Sequence, residues 1–127
     1  MNLGKVVFGF FILLAATLNF GFVYGAVDAP HHHHVSELFA AIVVNIIAMV
    51  LKFGDRTQVG AIHLATSLVA VLQLLLAAAA WGWSTHIIAE GQTAASTASA
   101  VSLAAGALFA NIVSVTILIG ETLMLRR

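Results

Sequence analysis

From Val6 to Val27 the chain runs without one charged residue, and three more long apolar stretches follow. A run of about 20 apolar residues is what a helix needs to cross the ~30 Å hydrocarbon core of a bilayer. The stretches predict helices over about 6–27, 35–53, 59–83 and 98–125, joined by short polar segments. The ~10-residue alternating segments of a membrane barrel strand are absent. The expected fold is all-α: an integral membrane bundle of four transmembrane helices, forming a single domain over residues 1–127. Composition agrees, with 61% hydrophobic and 8% charged residues, where a soluble domain carries about 45–50% and about 25%. A signal peptide is the competing reading of the first stretch, but that run exceeds the 7–15 residues of a signal h-region.

Charge is distributed by side. With four spans drawn, Lys5, Lys52, Arg56, Arg126 and Arg127 fall together on one side. Asp28, His31, His32, His33, His34, Glu37, His86 and Glu90 fall on the other. The positive-inside rule then predicts both termini in the cytoplasm and both histidine-bearing loops facing outward. The first loop is read as native, since a four-histidine run between two spans is not a terminal tag.

One segment occurs twice. Asn45-Ile46 opens a run that closes on Gly54-Asp55, and Asn111-Ile112 opens another that closes on Gly120-Glu121 at the same spacing. This reads as a duplicated helix end with an acidic tip, within a possible parallel duplication of a helical hairpin. Gly54 is a natural stop for the second helix, and Ser36 with Glu37 are candidates to cap its start. Gly21 and Gly25 form a small-xxx-small pair suited to close helix approach, near Asn19, and Ser99, Ser102 and Gly106 do the same in the fourth helix.

Three constellations carry candidate chemistry. The first is Asn45, Asp55, Asn111 and Glu121. Carboxylates at a pore mouth concentrate cations, and amide oxygens deeper in can replace hydration water. The same residues serve equally as interhelical hydrogen bonds and surface ion pairs. The second is His31, His32, His33, His34 and His86 with nearby carboxylates, which suit a divalent metal, a pH response, or simply a polar loop. The third is His63 and Gln73, on a small-and-polar stripe with Thr66, Ala70 and Ala77 that should face protein rather than lipid. Trp81 and Trp83 fit an interfacial aromatic belt. Without cysteine there is no thiolate site or disulfide. The few residues outside the spans leave no room for a catalytic domain, so neither an enzyme nor a nucleic-acid partner is expected.

Lys52-Phe53-Gly54-Asp55-Arg56-Thr57-Gln58, Leu64-Ala65-Thr66-Ser67-Leu68-Val69-Ala70 and the histidine-rich first loop carry a resemblance. The chain resembles a group of short, four-helix bacterial inner-membrane proteins, loosely associated with potassium-channel-type proteins. The resemblance implies a prokaryotic origin and supplies neither an activity nor catalytic residues. Leu51-Lys52-Phe53-Gly54-Asp55 is not the Thr-Val-Gly-Tyr-Gly filter of potassium channels, so that mechanism does not carry over. The expectation is a small oligomeric protein of the bacterial inner membrane that forms or contributes to a cation-conducting pore. The alternative is a metal- or pH-responsive accessory subunit that uses the histidine cluster and binds a larger membrane protein.

Overall fold

The computed structural model describes residues 3–26, 28–89 and 91–125. Four α-helices span them: α1 (Leu3–Val23), α2 (Val35–Lys52), α3 (Gln58–His86) and α4 (Ala94–Leu125). A short 3-10 turn, Pro30–His32, lies between α1 and α2, and there is no strand among the described residues. All four are long and apolar enough to cross a membrane. Phe10, Phe20, Phe39, Val43, Leu72 and Phe109 are among the large apolar side chains on the outer surface. Helices apolar on their outer as well as inner faces belong in lipid. The molecule is a multi-pass membrane protein.

Each helix packs on two neighbours in the ring order α1, α2, α3, α4, and α3 packs most extensively on α4. The Lys5 ammonium lies 2.6 Å from the Glu121 carboxylate, so the start of α1 meets the end of α4. This is the basic end of the bundle, with Lys52 and Arg56 on the same side of the chain path. The two loops of the opposite end carry His31 to His34 and His86. Expected positions Val27, Glu90, Arg126 and Arg127 lie outside the described residues.

The helix boundaries follow local chemistry. α1 stops at Val23 rather than running on, because Gly25 takes the left-handed conformation with φ +108. Gly25 is therefore a turn residue and not half of a helix-packing pair. Gly21 is the one of the two that lies against another helix, with the Glu37 carboxylate of α2 set against it. The N-cap of α2 is His34, without a side-chain cap bond, so Ser36 lies inside the helix instead of capping it. α4 begins at Ala94, earlier than apolarity alone suggests. Thr93 Oγ1 accepts from Ser96 N (3.1 Å) while Ser96 Oγ accepts from Thr93 N (2.9 Å). That is a reciprocal capping box with serine in the usual Glu or Gln place. The Ser/Thr/Ala run is thus the first turns of α4, with Ser99 and Ser102 on its exposed side.

The two copies of the Asn-to-Gly-acid segment diverge. After Lys52 the chain leaves the helix through right-handed turns, with Phe53 N to Val50 O and Asp55 N to Lys52 O both at 3.2 Å. Gly54 has no positive φ, so it does not act as a left-handed helix stop. α4 instead runs straight through Gly120 and Glu121 to Leu125. A glycine alone does not end a helix; the following cap does.

That cap is Asp55 and Thr57. Thr57 is the N-cap of α3, its Oγ1 accepting from Gly60 N at 2.9 Å. Asp55 Oδ1 accepts from Thr57 N (2.9 Å) and from Thr57 Oγ1 (2.7 Å). A Cβ at residue 60 would run into the Asp55 carboxylate, so glycine is the residue that lets Asp55 fold over the α3 N-terminus. Thr57→Ala should cost about 0.5–2 kcal/mol by loss of the cap. Gly60→Ala should lower the unfolding midpoint by displacing Asp55. Denaturant unfolding in mixed micelles checks both.

Candidate functional site

The apolar core is in two parts. The larger part occupies the histidine half: Phe22 of α1, Leu38, Ala41 and Ile42 of α2, Ala70, Leu74 and Ala77 of α3, and an alanine-rich face of α4 ending at Ala110. The smaller occupies the basic half: Phe8, Ile12 and Ala48, with Val115 and Leu118 against them. Between the two parts, α2 presents Asn45, α3 presents His63 and Ser67, and α4 presents Asn111 and Ser114. All five are buried, none more than 1% exposed. On α1 the same level falls at Ala15 and Ala16, two small residues that leave space for polar neighbours. The bundle therefore has a polar waist.

Few of the waist groups satisfy one another. His63 Nδ1 lies 2.6 Å from Ser114 Oγ. Thr66 Oγ1 is within donating distance of both His63 O (2.9 Å) and Ser114 Oγ (3.1 Å). Asn45 Nδ2 donates to Ala41 O at 2.8 Å, within its own helix. His63 Nε2, Ser67 Oγ, Asn45 Oδ1 and both side-chain polar atoms of Asn111 are buried with no protein partner. Both polar atoms of Asn19, Gln73 Oε1 and Thr97 Oγ1 extend the unpartnered set towards the histidine end. The Gln73 carboxamide lies directly against Gly106 of α4. An unmet polar group in hydrocarbon costs several kcal/mol. Water is one partner that meets such groups inside a protein.

At the basic end a cavity of about 610 Å³ is lined by Lys5, Phe8, Lys52, Asp55, Thr57 and Glu121, with apolar residues between them. Its charges are matched. Lys5 pairs with Glu121, and Lys52 Nζ lies 3.5 Å from Asp55 Oδ2. The Lys52 ammonium also sits 4.3 Å over the Phe8 ring. The other side of Phe8 meets His63 edge-on, with ring centroids 4.9 Å apart. Phe8 thus touches both the charged cavity and the waist imidazole. Asp55 and Glu121 both line this cavity, each engaged with a lysine.

Among the described residues no three His, Asp or Glu side chains come together in a metal-holding arrangement. His31, His34 and His86 are exposed, and His32 Nδ1 accepts from Ala26 N at 2.9 Å. His33 is buried, with both ring nitrogens against carbonyl oxygens.

Asn45, Asn111 and His63 are brought together at one level, and Gln73 lies beyond them. Ser67 and Phe8 carry part of the site without having stood out in the sequence. Ser67, one turn beyond His63, was the available signal; nothing marked Phe8 among eight phenylalanines.

Asp55 titrates at the rim of the cavity. Its hydrogen bonds from Thr57, reinforced by Lys52 against a smaller desolvation effect, hold its carboxyl below the usual carboxylate range. The folded state then binds this proton less tightly than the unfolded chain. The resulting stability is present above about pH 3.9 and is lost as pH falls through the lowered value. Asp55→Asn should remove that part of the acid sensitivity, read as a flatter unfolding midpoint between pH 6 and pH 3.

The chain matches no curated protein and no solved structure. A family model does match it, over residues 32–122, from the first loop through Thr122 of α4. On that match the chain belongs to the family of unknown function DUF6394.

Proposed function

We propose that this is a bacterial inner-membrane protein, with both termini cytoplasmic, that lets a small cation pass through the interior of a single four-helix protomer. The proton is the ion that fits best. The observation that carries this reading is the waist: buried polar atoms without protein partners, continuing from His63 through Asn111 towards Gln73 and Asn19. A potassium ion needs several oxygen ligands and a favourable field to replace its hydration shell. The waist residues are neutral amides, hydroxyls and one imidazole, with no carboxylate among them. A proton needs only water and a group that takes it up and gives it back, and an intramembrane histidine is suited to that. The cavity at the basic end is the inner mouth, Phe8 the apolar barrier behind it, and His63 the first carrier. The ion pairs of Asp55 and Glu121 hold the mouth in shape.

Proton and potassium flux into proteoliposomes of purified protein tests this. Wild type should dissipate a pH gradient. His63→Gln and Asn111→Leu should each cut that flux at least ~10-fold, equivalent to about 1.4 kcal/mol or more on the barrier. Asn111→Leu should not lower the unfolding midpoint, since an apolar group at position 111 removes a polar one in need of a partner. Flux that survives both substitutions but is lost in Asp55→Asn/Glu121→Gln moves the selective element to the mouth. A correctly folded protein that passes neither ion overturns the reading and leaves an accessory role beside a larger membrane protein.

A further inference from the structure

His33 is the buried member of the histidine run, 4% exposed while His31, His32 and His34 are open to solvent. Its two ring nitrogens meet two carbonyl oxygens: Nδ1 lies 2.5 Å from Phe22 O, and Nε2 lies 2.7 Å from Ala26 O. A carbonyl oxygen can only accept. A neutral imidazole carries one N–H and one lone pair, so it can serve one of these carbonyls and must set its lone pair against the other. Only the imidazolium, with two N–H groups, satisfies both.

We propose that His33 is a proton-binding site whose occupancy pins the loop between α1 and α2 to the end of α1. Phe22 and Ala26 straddle the last residue of α1, Val23. Phe22 O is a terminal carbonyl of α1, without an intrahelical partner and at the negative end of the helix dipole, which favours a cation there. Ala26 O, beyond the helix end, also accepts from Ala29 N at 3.2 Å and has a second lone pair for the ring N–H. The ring is held in place from one side by Phe22, with centroids 5.6 Å apart, and Phe22 in turn packs on Trp81 of α3. The charged and titratable groups around it are few. His32 has its ring 6.4 Å away in the same loop, and His31 stacks on His32 at 4.4 Å. Asp28 lies in the loop itself, and Glu37 of α2 lies against Gly21 of α1. α3 offers the uncharged Trp81, and α4 carries no charge over its first turns. Nothing in that set replaces the second N–H. With both nitrogens engaged, His33 also has no lone pair to offer a metal.

The sign follows from the bonds. The pinned loop binds one more proton than the released loop, so acidification favours pinning. A rise in pH that removes the second N–H releases it. The loop thereby senses proton activity on its own side of the membrane, independently of whether the waist conducts.

Backbone hydrogen exchange over residues 24–34, corrected for intrinsic rate, tests this on the full chain in nanodiscs. Wild type should be protected about tenfold more at pH 5.5 than at pH 8, and His32→Ala should keep that difference. His33→Gln, which has no second state to titrate, should show equal protection at both pH values. In case that variant misfolds, nitrogen-15 spectra of histidine-labelled wild type give a second readout: both ring nitrogens of His33 should be protonated at pH 5.5. Loop protection independent of pH in wild type, the same pH dependence in a folded His33→Gln, or a neutral His33 ring at pH 5.5 would each overturn the proposal.

Discussion

A side-chain amide brings two donors and an acceptor wherever it goes, and hydrocarbon can satisfy neither. This protein buries three such amides, in Asn19, Asn45 and Asn111, together with His63. The rest of the bundle is arranged around that constraint. Two apolar clusters close the interior above and below. Alanines face each other across α3 and α4 so that the helices stay close where the polar groups are absent. Where the groups are present, Ala15 and Ala16 leave room. The bundle thus protects polar atoms from lipid while pairing few of them with one another.

Leaving polar atoms unpaired is expensive, and leucine would fill the same positions without that penalty. Groups that reduce packing stability are expected where a site must do something other than hold the fold together. The contrast with the basic end sharpens the point. There, every acidic group described is engaged: Glu121 with Lys5, and Asp55 with Lys52, Thr57 and the α3 N-terminus. The charges are used for architecture, while several polar atoms of the neutral interior have no protein partner. Phe8 marks the border, with a cation on its face and an imidazole at its edge.

The spans were legible because apolar runs of bilayer length admit few other readings. The inward face of α3 was legible too, since His63, Ala70, Gln73 and Ala77 recur at helical spacing. What the spacing could not supply was the neighbour. A polar stripe looks the same whether it faces a second copy or the interior of its own bundle. The Gly-acid repeat misled for a related reason. Gly54-Asp55 and Gly120-Glu121 look alike, but only the first is followed by Thr57 and Gly60, the residues that turn an acidic tip into the cap of the next helix. The histidine run was visible as a cluster, yet the distinction of His33 depends on where two carbonyls fall after α1 ends, and that depends on Gly25 turning the chain.

The central claim is that the waist holds water. Water-edited solid-state NMR of the protein in bilayers, with asparagine side chains labelled in nitrogen-15, measures this directly. Magnetisation from mobile water should reach the Asn45 and Asn111 amides well before it reaches lipid-facing backbone at the same depth. Transfer to those amides no faster than to that lipid-facing backbone would mean a dry waist, with its polar atoms paired in some other way and no path for a proton through the protomer.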